Sequence, residues 1–293
     1  MEGSVRNLMR ATAILGLALT AFPMAASELD PFIVLGEDLE DATKEVNAYI
    51  NEQVRLVLKK SQKSKQRSCS QLTRKIGLHF GHISNKKTEV WAEKNPDIDN
   101  FPFRRSKFKY FKRSIYNQGL FLPLSTTIKV GGVNIGTDKL AHSIGFGFGY
   151  YLLYKLKYKK YLRDYPKTMA DFKAQKAAIK TGIDSEKALF GLWTTGVFSY
   201  ADLEANYQGF RFYMDMCHGK EKYLGLYKSR RGRKVWKLHR PIDYAKYVNP
   251  LWDEAFNGNY YRKDRWKSIR EKMQADRKST RLNSSHQIIS YAV

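Results

Sequence analysis

Two stretches of this chain carry small residues at intervals of four, a pattern suited to a pair of helices packed backbone to backbone. In residues 137–162 these are Ala141, Gly145 and Gly149; in residues 185–216 they are Ala201, Ala205 and Gly209. Residues four apart share one face of a helix, and a face without side-chain bulk lets another backbone come close. Polar residues flank the two faces in the same way. His142 follows Ala141 by one position, as Asp202 follows Ala201 and Asn206 follows Ala205. Asp138 stands four before His142 and shares its face. Packing the small faces together is therefore expected to bring Asp138, His142, Asp202 and Asn206 to one rim of the contact. Thr137 is the expected N-cap of the first helix. Glu186 joins the cluster only if the second stretch breaks near Thr194, Thr195 and Gly196.

The rest of the chain reads as mainly α, a single compact helical domain over residues 27–275 with a small β-hairpin near 126–136. Apolar residues from Leu39 to Leu58 recur at three and four, with acids first and cations last, the charge order a helix dipole favours. The run SQKSKQRSCSQ after it is expected to be a loop. Residues 96–125, with three prolines, read as irregular with a short strand. TIKVGGVNIG offers two β-branched runs around Gly131 and Gly132, a hairpin signature. A Lys-rich link follows residue 162 and includes a helical segment near 170–179.

D-K-L-A-H at 138–142, Glu186, and D-L-E-A-N-Y-Q-G at 202–209 match the order and approximate spacing of D-K-x-x-H, Glu and D-x-x-A-N-x-x-G elements. In these the chain resembles the VanZ-like family of small bacterial membrane proteins. It is also similar to YfiM-type periplasmic lipoproteins, which share D-K-x-x-H and a later D-x-x-x-(D/N)-x-x-G. The resemblance covers about residues 131–213. It implies Asp138, Lys139, His142, Glu186, Asp202, Asn206 and Gly209 as site residues, and a shared fold element rather than a known reaction. Where the family pattern has a Pro-Gly-Arg type turn, this chain has Thr195, Gly196 and Val197, and its helices are too charged to span lipid.

Three uses of the cluster stay open at this level. A histidine and carboxyl groups between helices form a satisfied buried network that fixes helix register. Alternatively His142, Asp138, Asp202 and Glu186 are catalytic or hold a divalent metal, as a mixed nitrogen and oxygen set suited to Zn, Mn or Fe, or Asp202 orients His142 as a general base. The third use is a ligand pocket without chemistry, with Lys139 and Asn206 as binding groups. Ser143, Ser199 and Tyr200 lack a nucleophile-elbow sequence. The glycines between 131 and 149 are not followed by G-K-[ST], so they make no phosphate loop. His79 and His82, three apart, read as partly exposed histidines at a turn.

Charge narrows the partners. Lys and Arg number 52 against 28 Asp and Glu in 293 residues, a net +24, which seeks anionic surfaces. Residues 1–26 have the layout of a signal peptide: Arg6 and Arg10, the apolar run AILGLALTAF, then Pro23 and small residues. The run is shorter than the roughly 18 residues of a spanning helix, and no cysteine follows it for a lipid anchor. The expected location is periplasmic or secreted, with no spanning helix after signal removal; the alternative is an uncleaved segment in the inner membrane. Residues 276–293 read as the translation of a common sequencing adapter and are set aside. Without both ends the net charge is still +21. Basic aromatic clusters at 103–113, 155–163 and 228–240, the last with Arg230, Arg231 and Arg233, are expected to bind an anionic envelope polymer or lipid surface ahead of nucleic acid. Cys69 and Cys217 either pair, in an oxidising compartment, or remain two free thiols. The expected function is that of an exported, envelope-associated protein with a VanZ-like polar core. The alternative is a metal-assisted or acid/base hydrolase acting on a phosphate- or glycan-containing envelope substrate.

Overall fold

The computed structural model describes residues 29, 37–62, 68–81, 87–105, 124–187, 191–192, 195–219, 222–229, 232, 234–263, 266–267 and 269–270. The segment read as a signal peptide, the 276–293 tail, His82, residues 106–113, and Arg230, Arg231 and Arg233 lie outside the described residues. The described part is mainly helical with short antiparallel strands, as the periodicities predict.

Helix α1 (Thr43–Ser61) starts later than its acidic leader. Asp41 instead anchors the junction, its carboxylate accepting N–H bonds from Thr43 (2.8 Å), Gly131 (3.2 Å) and Gly132 (2.6 Å). Gly131 and Gly132 form the turn between β2 (Thr127–Val130) and β3 (Val133–Gly136), both at positive φ (61° and 77°), as a two-residue hairpin turn of this hand requires. Strand β1 (Asn100–Phe101) pairs with β2. Part of the segment expected to be a loop is helical. Ser68 caps α2 (Cys69–Phe80) by accepting the N–H of Gln71, and Leu72, Ile76 and Phe80 give it a buried stripe. Helix α3 (Lys87–Lys94) comes next.

The first site helix runs continuously as α4 (Thr137–Ala141), a π turn (His142–Phe146) and α5 (Gly147–Tyr161). Its N-cap is Gly136, not Thr137. Thr137 is already helical, and its hydroxyl donates to Glu93 Oε1 at 3.1 Å. The second stretch is not one helix either. Helix α6 (Lys167–Ser185) extends well beyond the short segment expected in the Lys-rich link, burying Ala170, Ala174 and Ala178. The chain then turns through Gly191 and Gly196, forms β4 (Val197–Phe198), and restarts as α7 (Tyr200–Asp215). Ser199 causes the restart: its hydroxyl accepts the Asp202 N–H at 3.1 Å.

The helices do meet through small residues, but on a face shifted from the predicted one. A Cβ on Gly147 would lie 2.5 Å from the backbone of Gly209, and one on Gly209 would lie 1.8 Å from the Ser143 carbonyl oxygen. Ser143 and Gly147 are themselves four apart, so the spacing holds while the face in contact lies two positions along from Ala141 and Gly145. Because the clash is with backbone on both sides, Gly209→Ala is expected to cost on the order of 3 kcal/mol by overpacking. Thermal denaturation checks this, and an unchanged midpoint would show that the helices do not cross here.

Strands β5 (Leu224–Lys228) and β6 (Lys234–Leu238) form a second hairpin, and β7 (Tyr260–Tyr261) pairs with β4. Asn51 of α1 exchanges two hydrogen bonds with the backbone of Ile242, 2.7 and 2.8 Å, tying the C-terminal part to the start of the fold. Buried apolar residues from Ala42 to Trp252 join in one hydrophobic cluster. No helix among the described residues is long and apolar enough to cross a membrane.

Candidate functional site

The site is assembled from three segments around a buried lysine. Lys139, fully buried in α4, places Nζ 2.6 Å from Asp138 Oδ2 and 2.6 Å from Asp202 Oδ1, and in direct contact with Glu254 Oε1. Further donors surround the carboxylates. Ser125 Oγ donates to Asp138 Oδ1 at 2.8 Å, and Ser199 Oγ and Asn259 Nδ2 donate to Glu254. His142 bridges the two helices as the paired faces predict: Nε2 lies 3.3 Å from Asp202 Oδ2, and Nδ1 lies 3.2 Å from Asn206 Oδ1. One ring nitrogen thus faces a carboxylate and the other an amide oxygen. The ring stacks on Phe146, centroids 4.8 Å apart, inside the π turn.

Burial and mutual charge decide the protonation of the cluster. Burial alone would strip the proton from Lys139, but Asp138, Asp202 and Glu254 hold its pKa well above the ordinary lysine value. Burial works against Asp138 as well, and there the Lys139 ammonium, His142 and the Ser125 hydroxyl more than offset it, keeping the carboxyl below the ordinary 3.8. Glu254 goes the other way. Burial, with Asp202 and Asp138 beside it, outweighs Lys139 and pushes it up to about 7. Glu186 is held well above 4.5 by burial and by Asp202. The last two groups favour the neutral form in the fold, so their stabilisation is fully present below pH 4.5 and is lost as pH rises through the folded-state values, about 7 for Glu254. Asp138 acts oppositely, its contribution disappearing only in stronger acid. The melting temperature is therefore expected to be lower at pH 8 than at pH 5.5, and Glu254→Gln should reduce that difference. Equal slopes in both proteins would remove Glu254 from the account.

Of the residues singled out in the sequence, Asp138, Lys139, His142, Asp202 and Asn206 come together. Glu186 is brought beside Asp202 by the break after α6. Asp138, His142 and Asp202 offer donor atoms within 4.8 Å of one another, a group that does not include Glu186. Such a mixed set is chemically suited to a divalent ion of the Zn, Mn or Fe type. Any such ion would share both carboxylates with Lys139. Four participants were not among the expected site residues: Ser125, Ser199, Glu254 and Asn259. Ser199 had a signal, since S-x-x-D before a helical stretch is a capping pattern. Glu254 had none, lying 115 positions from Lys139. His79 is engaged elsewhere, its Nε2 2.9 Å from Gln53 Oε1. No protein-family model, curated protein or solved structure matches the chain.

Proposed function

We propose that this is an exported, envelope-associated protein that binds anionic envelope components through its basic surface, on a helical scaffold locked by the Lys139 cluster. The observation that carries the reading is how charge is divided between interior and surface. Among the described residues Asp138, Asp202, Glu186 and Glu254 are buried with Lys139, so the rest of the chain carries a larger cation excess than its net charge alone indicates. The VanZ-like resemblance at 138–142 and 202–209 belongs to this proposal as a shared helix-pair element. The experiment is cosedimentation of the full chain with phosphatidylglycerol vesicles or lipopolysaccharide, against phosphatidylcholine vesicles, across a salt series. Binding to the anionic particles should be lost steeply as salt shortens the Debye length from about 8 Å at physiological ionic strength toward 3 Å at 1 M. Equal binding to phosphatidylcholine, or salt-insensitive binding, would overturn the reading.

A second reading, metal-assisted or acid/base hydrolysis of a phosphate- or glycan-containing substrate, is favoured by the convergence of Asp138, His142 and Asp202. Its test is element analysis of the purified chain and of His142→Ala. One divalent metal per chain, lost in the variant, would support it, and a metal-free wild-type protein would count against it.

A further inference from the structure

A groove of about 360 Å³ opens between the C-terminal half of α1 and the strand β6 with the residues just after it. It lies apart from the Lys139 cluster. Arg55 and Lys59 line it from the helix, four residues apart, while Lys237, His239 and Arg240 line it from the other side. None of the lining residues is acidic. Like charges four apart on a helix repel, and Arg55, Lys59 and Lys237 make no ion pair with any described residue to relieve that. Arg240 is held in place over the Tyr223 ring, 5.0 Å from its centroid, and His239 Nδ1 lies 2.6 Å from the Tyr227 hydroxyl. The floor is not polar. Leu58, Leu238 and the half-buried Trp236 supply apolar surface and one aromatic ring beside the cations.

We infer that this groove binds a phosphate monoester carried on a compact, partly apolar body such as a sugar ring. Guanidinium and ammonium groups from two sides match the oxygens of one phosphate better than a single line of cations would. Trp236 and the leucines offer the ring or its carbon framework a face to rest on. The volume falls at the small end of small-molecule sites, room for one headgroup-sized moiety and not for a chain of them. The same chemistry is presented by a soluble sugar phosphate and by a phosphorylated lipid headgroup. The inference deepens the proposed binding of anionic envelope components and rests on it.

The test is calorimetric titration of the full chain with glucose 1-phosphate, inorganic phosphate and glucose, and in parallel cosedimentation with vesicles containing phosphatidic acid, whose headgroup is a phosphate monoester. Arg55→Gln with Lys237→Gln is the variant; both side chains are exposed, and circular dichroism confirms that the double variant folds. Saturable 1:1 binding of glucose 1-phosphate, tighter than that of phosphate or glucose and at least 10-fold weaker in the variant, is the expected result for a soluble ligand. Loss of phosphatidic acid vesicle binding in the variant, without binding of the soluble ester, assigns the groove to a phosphomonoester lipid headgroup. Vesicle binding that is unchanged in the variant, with no saturable binding of the ester, overturns the groove and leaves the surface reading standing. Failure of wild-type vesicle binding as well would remove that reading too.

Discussion

Replacing Cys69 and Cys217 by serine, or reducing the bond between them, is expected to lower the unfolding free energy by about 5 kcal/mol in the chain-entropy description of cross-links. The two cysteines are joined in the structure, with Cα atoms 5.8 Å apart and a sequence separation of 148. A bond across so long a loop removes a large number of open conformations from the unfolded chain and few from the folded one. It fastens the first turn of α2 to the residues just after α7. The closed loop contains Asp138, Lys139, His142, Glu186, Asp202 and Asn206, so most of the site is inside it, with Glu254 and Asn259 outside. Urea denaturation with and without reductant measures the effect as a lower midpoint and a steeper slope in the reduced protein, whose unfolded chain is more open. Coincident curves would show that the bond constrains nothing the fold does not already hold. Such a bond also suits the exported location proposed above, because it persists in oxidising compartments and is rare in the cytosol.

Lys139→Met should be nearly as damaging, at about 3–5 kcal/mol, the range for removing one partner of a buried ion pair. The methionine fills the space, but Asp138, Asp202 and Glu254 then face one another without a cation in a region closed to water. Their remedy is to take up protons. The loss should accordingly be largest at neutral and alkaline pH and smaller near pH 4, whereas a simple packing defect would give the same loss at every pH. A double-mutant cycle with Asp202→Asn separates the two explanations. Removing a carboxylate should harm the wild type and help, or hardly affect, Lys139→Met. Additive losses at all pH values would mean that Lys139 contributes volume and not charge.

Local physics determined a good deal of this protein from sequence alone. Paired glycines at 131 and 132 between β-branched runs fix a hairpin because few other residues tolerate positive φ at both turn positions. Four-residue spacing puts Asp138 with His142, and Asp202 with Asn206, on single helical faces, so one helix crossing is enough to make them meet. Tertiary structure decided the rest, in each case because a distant segment set the environment. Gly209 meets Ser143 and Gly147, two positions along from the Ala141 face, because the neighbouring helix and not the spacing selects which side is covered. Ser199 could cap α7 only because the chain had turned away from α6. Cys69 and Cys217 became partners through the packing of helices far apart in sequence. Lys139 shows the division most clearly. One position beyond Asp138, it lies off the shared face, and helical spacing gives no reason to place it in the site; only the family resemblance did. Yet every residue of α4 from Thr137 to Leu140 is buried, with α3 packed against it. A lysine enclosed on all sides keeps its charge only where carboxylates meet it, and the third of these, Glu254, arrives from the far end of the chain.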